Sequence, residues 1–372
     1  MPKEIGRGTS SMSTNESRNE SSLAESSRVG RAQNECVTIY RPSQHREAPP
    51  PHKQQEYITH DTLLFEEMHM GIAVVDIAKW RLVVDGMVEN PFSISLPELC
   101  ALPKLSVVAF HECYGSPLRP SDRNIWRVGN VTWTGVPLKF LLNIAQPLGS
   151  ARYMWSEGLD HGAFAGKKIT CYQKDVPLEK AMSDEVLVAY EVNSEPLRRE
   201  RGGPVRLVVP GWFGTNSTKW LWRLSFQAQR APGIFASHYY NRPNPQGGIQ
   251  PVWEVEPNSM IIDPSPNAKV VGPRVMIRGW AWSWDGIEAV QIRQSGKSEW
   301  QQAETKPRQD FSWQAFRHFI VLPKGRCSVV AQAISRSGKM QPLENQRNCA
   351  HNVDFEVIVE SEGRIHQITD SL

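Results

Sequence analysis

Trp80-Arg81-Leu82-Val83-Val84-Asp85-Gly86 is a β-branched run closed by a glycine turn, and Ser95-Leu96-Pro97-Glu98-Leu99 follows it with a different signature. Ser95 as N-cap with Glu98 three residues on makes a capping box. Pro97 falls in the first turn, where a missing N–H breaks no helical bond. Strand, turn and helix start therefore succeed one another within residues 80–99, which predicts mixed α and β structure. Further along, the apolar run Val107-Val108-Ala109-Phe110 leads into His111-Glu112-Cys113-Tyr114-Gly115, and Val205 to Val209 forms a strand closed by Pro210-Gly211. An α+β domain is expected over residues 56–240. Residues 238–251 are dense in turn formers and read as a linker. Beyond it, Val275–Trp282, Ala289–Ile292, Phe319–Leu322, Cys327–Ala333 and Val353–Val359 are short strands divided by Gly, Pro and Ser turns, the pattern of an immunoglobulin-like β-sandwich over 250–362. Residues 1–55, rich in Ser, Glu, Asn and Pro, bury too little apolar surface to offset ordering and are expected as a disordered tail, with a short second tail at 363–372.

Composition removes several functions. The 42 basic and 39 acidic residues are interspersed, so no basic stripe suggests a nucleic-acid partner. No apolar run reaches the roughly 20 residues of a membrane span, and the acidic N-terminal segment is unlike a mitochondrial transit peptide. The cysteines at 36, 100, 113, 171, 327 and 349 form no Cys-x-x-Cys pair, which points to a reducing, cytoplasmic setting and away from a structural zinc site.

Cys113 ends an apolar strand beside His111, Glu112 and a glycine turn. Local sequence leaves three readings open: a buried structural thiol, a nucleophile with His111 as base, or a soft thiolate ligand to a metal.

An extended resemblance chooses among them. Trp80–Gly86 with Pro91 and Leu96–Leu99 resembles the opening of sulfite oxidase molybdenum domains, and Cys113-Tyr114-Gly115 resembles their Cys-Ala-Gly ligand turn. Gly129-Asn130-Val131-Thr132-Trp133-Thr134-Gly135-Val136-Pro137-Leu138, Gly158-Leu159-Asp160, Tyr172 five residues before Pro177, Leu187–Leu197, Gly203–Gly211 and Lys219-Trp220-Leu221 follow in that family's order. The resemblance covers residues 57 to about 360 and implies a molybdenum-molybdopterin cofactor, with the C-terminal sandwich as a homodimerisation domain. It implies Cys113 as the protein's metal ligand and Tyr172 as an active-site tyrosine. Arg206 and Lys219 would meet the cofactor phosphate, and His69 and Asp160 the pterin edge; Arg201 stands where the family has a pterin-contacting His.

The family's anion-binding arginines are not matched. Glu67 takes the place of one, Ser116-Pro117-Leu118 of a second, and Gln291 of a third. The expected chemistry is a two-electron oxo transfer on a small organic molecule rather than sulfite, with electrons passed to a separate acceptor, because no haem, flavin or nicotinamide motif is present. Genuine sulfite oxidation using Arg119, Arg123 or Arg127 and a catalytically inactive binding relative are the alternatives.

Overall fold

The computed structural model describes residues 37–41, 46–116, 126–244 and 246–358. The tails expected at either end lie for the most part outside them. The described chain divides into two compact units.

The first unit holds residues 37–41, Glu66–Val107 and Thr132–Trp253. Its central sheet runs Gln173–Pro177, Tyr153–Gly158, Leu221–Gln227, Arg81–Gly86, Phe92–Ser95, with the Leu221–Gln227 and Arg81–Gly86 strands parallel. The strand and helix read from residues 80–99 are both present. Helix Leu96–Cys100 starts at Ser95, whose hydroxyl accepts from the Glu98 N–H while the Glu98 carboxylate accepts from the Ser95 N–H. A second sheet orders Glu195–Pro196, Leu187–Val192, Val128–Pro137 and Leu105–Glu112, and Arg206–Val208 pairs with Leu187–Val192. Alternate residues of these strands, among them Leu82, Val84, Val136, Val188 and Leu224, fill one core with Trp80, whose indole N–H donates to Leu221 O at 3.0 Å. Each such apolar side chain contributes about 1.5–3 kcal/mol on burial.

The second unit holds residues 46–65, 108–131 as far as described, and Glu254 onward. A four-stranded sheet (Asn258–Asp263, Arg274–Trp282, Gln314–Val321, Glu304–Thr305) and a five-stranded sheet (Lys269–Val271, Asn352–Ile358, Gly325–Ser335, Ile287–Gln294, Gln301–Gln302) contribute to one core. Ile277, Phe316 and Ile320 come from the first, and Val290, Val329 and Phe355 from the second.

Three sequence expectations need correction. The segment expected as tail up to residue 55 contains a strand, Val37–Tyr40, paired antiparallel with Ile72–Val75; its Val-Thr-Ile-Tyr composition is β-forming within a polar surround. The linker carries a hairpin, Asn241–Pro243 with Ile249–Pro251, built on the same turn residues that suggested a linker. Residues 108–131, with Cys113, group by their contacts with the C-terminal unit rather than with the 56–240 domain, and the boundaries fall within the strands Leu105–Glu112 and Val128–Pro137. Helices are few and short, and strands dominate. No helix among the described residues is long and apolar enough to cross a membrane.

Candidate cofactor site

Arg206 is placed by the short strand Arg206–Val208, opposite Ala189. It is 4% exposed, donates to Arg201 O at 2.9 Å and Ser217 O at 3.0 Å, and lies 4.9 Å from the Trp133 ring centre. Burial, and then the neighbouring Arg201 charge, push its pKa down to about 9. Arg201 ends the 3-10 helix Arg199–Arg201 and faces the Glu66 carboxylate at 3.8 Å. Lys219 donates to Glu67 O at 2.6 Å, with its ammonium 4.7 Å from the Trp220 ring centre. Gly202, with φ of 91°, makes room for it: a Cβ there would stand 2.5 Å from the Lys219 side chain. Asp160 is buried, and its Oδ1 meets no hydrogen-bond donor among the described residues. Burial raises its pKa to about 7, against the opposing pull of Lys219.

This donor set fits a pterin cofactor. Buried cations suit the phosphate, and the unmatched Asp160 oxygen is an acceptor placed for an amine or ring N–H.

His69 and Tyr172 belong to the same unit and lie 5.5 Å apart between ring centres. His69 is surrounded by Phe164, Phe235 and Tyr240, and its Nε2 shares a 2.5 Å hydrogen bond with the Tyr240 hydroxyl. Burial first, and Lys219 second, lower its pKa to about 4, so it is neutral at pH 7 and offers a single ring N–H. The Tyr172 hydroxyl donates to Thr215 O at 2.7 Å and lies 2.8 Å from Thr215 Oγ1, and its ring stacks on Phe235 at 4.6 Å. A phenol donating to a carbonyl keeps lone pairs that can accept.

Lys174 was not singled out in the sequence. Two residues after Tyr172 on a strand it reads as an ordinary surface lysine, yet it is fully buried, donates to Phe235 O at 3.3 Å and stands 5.3 Å from the Tyr240 ring centre. Burial lowers its pKa to about 8 from 10.5 despite Asp175 beside it. The folded protein sheds this proton near pH 8 and the unfolded chain near 10.5, so the destabilisation is complete below pH 8 and is relieved as pH rises through that window. The effect is about 3 kcal/mol. Urea unfolding at pH 7.5 and pH 10 is expected to show Lys174→Met more stable than wild type at the lower pH, with the gap closing at the higher. A gap independent of pH would contradict this.

Cys113 follows the strand Leu105–Glu112 in the second unit and is half-buried. Its N–H donates to Arg127 O at 2.8 Å, its carbonyl accepts from the Ser116 N–H at 3.3 Å, and its Sγ accepts from the Gly115 N–H at 3.3 Å. The turn thus presents a backbone donor to the sulfur. His111, the alternative base, stacks on Phe65 with ring centres 6.1 Å apart. Of the positions offered as replacement cations, Arg127 donates to Gly115 O, while Arg119 and Arg123, like Leu118, lie outside the described residues.

Comparison with known proteins gives a consistent picture. Residues 69–235 match the family described as oxidoreductase molybdopterin binding domain. The chain is 29% identical over 329 residues to mitochondrial sulfite oxidase of Macaca fascicularis, covering 80% of this chain and 59% of that one. It is 26% identical over 340 residues to sulfite oxidase of Arabidopsis thaliana, covering 79% and 85%. An NADPH nitrate reductase of Beauveria bassiana is 27% identical over 217 residues, covering 52% of this chain and 23% of the enzyme. The chain thus spans about three fifths of the mammalian relatives' length. The crystal structure of the sulfane dehydrogenase SoxCD from Paracoccus pantotrophus superposes with a TM-score of 0.71 over 96% of each chain at 24% identity, a likeness of fold.

Proposed function

We propose that this chain, whose residues 69–235 match the oxidoreductase molybdopterin binding domain and which is similar to sulfite oxidases over 80% of its length, is a sulfite oxidase-type molybdopterin-dependent oxidoreductase that carries out a two-electron oxo transfer on an organic substrate and passes the electrons to a separate acceptor. When bound, the cofactor would supply the two-electron redox chemistry at molybdenum. Cys113 would give the metal its protein thiolate, a soft anionic donor of the type molybdenum accepts. Arg206 and Lys219 would hold the phosphate, with Asp160 and neutral His69 orienting the pterin. Tyr172, anchored to Thr215, would offer its remaining lone pair toward substrate or cofactor. A homodimer through the C-terminal sandwich and a cytoplasmic setting complete the reading.

The observation that carries the substrate class is the acidic pair Glu66-Glu67. Glu66 faces Arg201 at 3.8 Å, and Glu67, whose backbone carbonyl takes the Lys219 ammonium, stands where the family has an anion-binding arginine, so a carboxylate replaces a cation that a sulfite dianion would need. An ionised carboxylate near a dianion costs a few kcal/mol in a partly buried site. Sulfite is therefore expected to be a poor substrate compared with a neutral or cationic compound bearing a sulfur or nitrogen lone pair. Glu67→Arg should raise kcat/KM for sulfite about tenfold or more, chiefly through KM, as restored ground-state anion binding would. Efficient sulfite turnover by the wild type, unchanged in Glu67→Gln, would make sulfite the substrate.

A further inference from the structure

The strand that delivers Cys113 ends on a carboxylate with no exposed surface. Glu112 accepts from the Trp282 indole N–H at 2.8 Å on one oxygen and from Arg347 at 2.9 Å on the other, with Asn258 Nδ2 at 3.5 Å from that second oxygen. The same guanidinium, through its other terminal nitrogen, donates to Tyr114 O at 3.4 Å, and it lies 5.1 Å from the Tyr114 ring centre. One side chain, itself only 10% exposed, thus grips the residues on both sides of Cys113. The loop that carries Arg347 is fixed in turn: Asn348 donates to Pro257 O at 2.8 Å and its carbonyl accepts from Gln341 at 3.0 Å. All of these residues lie in the second unit.

A buried ion pair contributes little net stability compared with apolar residues of the same size, because two charges must be desolvated. Such a pair can instead serve to hold one backbone geometry. The turn itself fixes the Cys113 backbone through its N–H to Arg127 O and its carbonyl to the Ser116 N–H, and the Gly115 N–H reaches Sγ. We propose that Arg347 is a positioning residue for Cys113, setting the direction of the sulfur through Glu112 and Tyr114. The proposal rests on the reading of Cys113 as the molybdenum ligand.

The test uses full-length protein loaded with cofactor. Arg347→Met alone would strand the Glu112 charge, so the informative variants are the double substitution Glu112→Gln with Arg347→Met, which removes both charges, and Arg347→Lys, which keeps the charge but reaches only one of the two acceptors. The expected result is unchanged molybdenum content and circular dichroism, a shifted thiolate-to-molybdenum absorption band in both variants, and kcat down about tenfold or more with KM within twofold, the size of effect seen for groups that orient metal ligands. In cofactor-free protein the rate of Cys113 alkylation should also change several-fold. Cys113→Ser separates the two claims. If it keeps the wild-type band, the ligand reading fails. If it loses the band while both Arg347 variants keep the wild-type band and kcat, the positioning role alone is overturned.

Discussion

Replacing Cys113 with serine is expected to lower kcat by roughly 10³-fold or more, equivalent to about 4 kcal/mol of transition-state stabilisation, and to leave the fold intact. Serine is nearly isosteric, and Cys113 is half-buried at the end of a strand whose apolar residues make the core, so little packing is lost. The chemical change is large by comparison. A thiolate is a soft anionic donor, whereas a serine hydroxyl is hard and stays protonated. Steady-state kinetics beside thermal melting will read the two effects separately. Activity within tenfold of wild type would remove Cys113 from the metal's coordination.

The second large effect is expected at Arg206. Its substitution by methionine should reduce cofactor content to about a tenth or less, since removing one partner of a buried charge pair typically costs 2–5 kcal/mol of binding. The apoprotein should meanwhile melt at the wild-type temperature or above. Arg206 is buried, and burial together with Arg201 already works against its charge, so an apolar side chain of similar length relieves a cost in the cofactor-free state. If the hydrogen bonds to the carbonyls of Arg201 and Ser217 outweighed the cost of burying the charge, the apoprotein would instead melt lower, and cofactor content unchanged from wild type would remove Arg206 from the cofactor's binding. Pterin and molybdenum assays on purified variant, set against the apoprotein melt, distinguish these outcomes.

What was legible in the sequence was whatever short-range chemistry dictates. The capping box at Ser95 and Glu98, the strand ending at Gly86, the strand around Arg206 and the succession of C-terminal strands each follow from residues a few positions apart. The strand Val37–Tyr40 was hidden because four β-forming residues in a polar tail say nothing about the partner, Ile72–Val75, that stabilises them. The assignment of Cys113 to the C-terminal unit escaped for the same reason, since its strand is divided between units on the basis of contacts distant in sequence. Lys174 and the Glu112–Arg347 pair were missed because charged residues are ordinarily solvated. Their burial depends on neighbours such as Phe235 and Trp282, and Arg347 lies 235 positions from the carboxylate it meets.

The most direct measurement is the molybdenum and pterin content of the wild-type protein, purified from a host that makes the cofactor and assayed by elemental analysis and by oxidised-pterin fluorescence. About one molybdenum and one pterin per chain is the predicted result, given the buried Arg206 and Asp160 and the Lys219 charge that acts on both Asp160 and His69. Protein that is folded and carries neither would contradict the account.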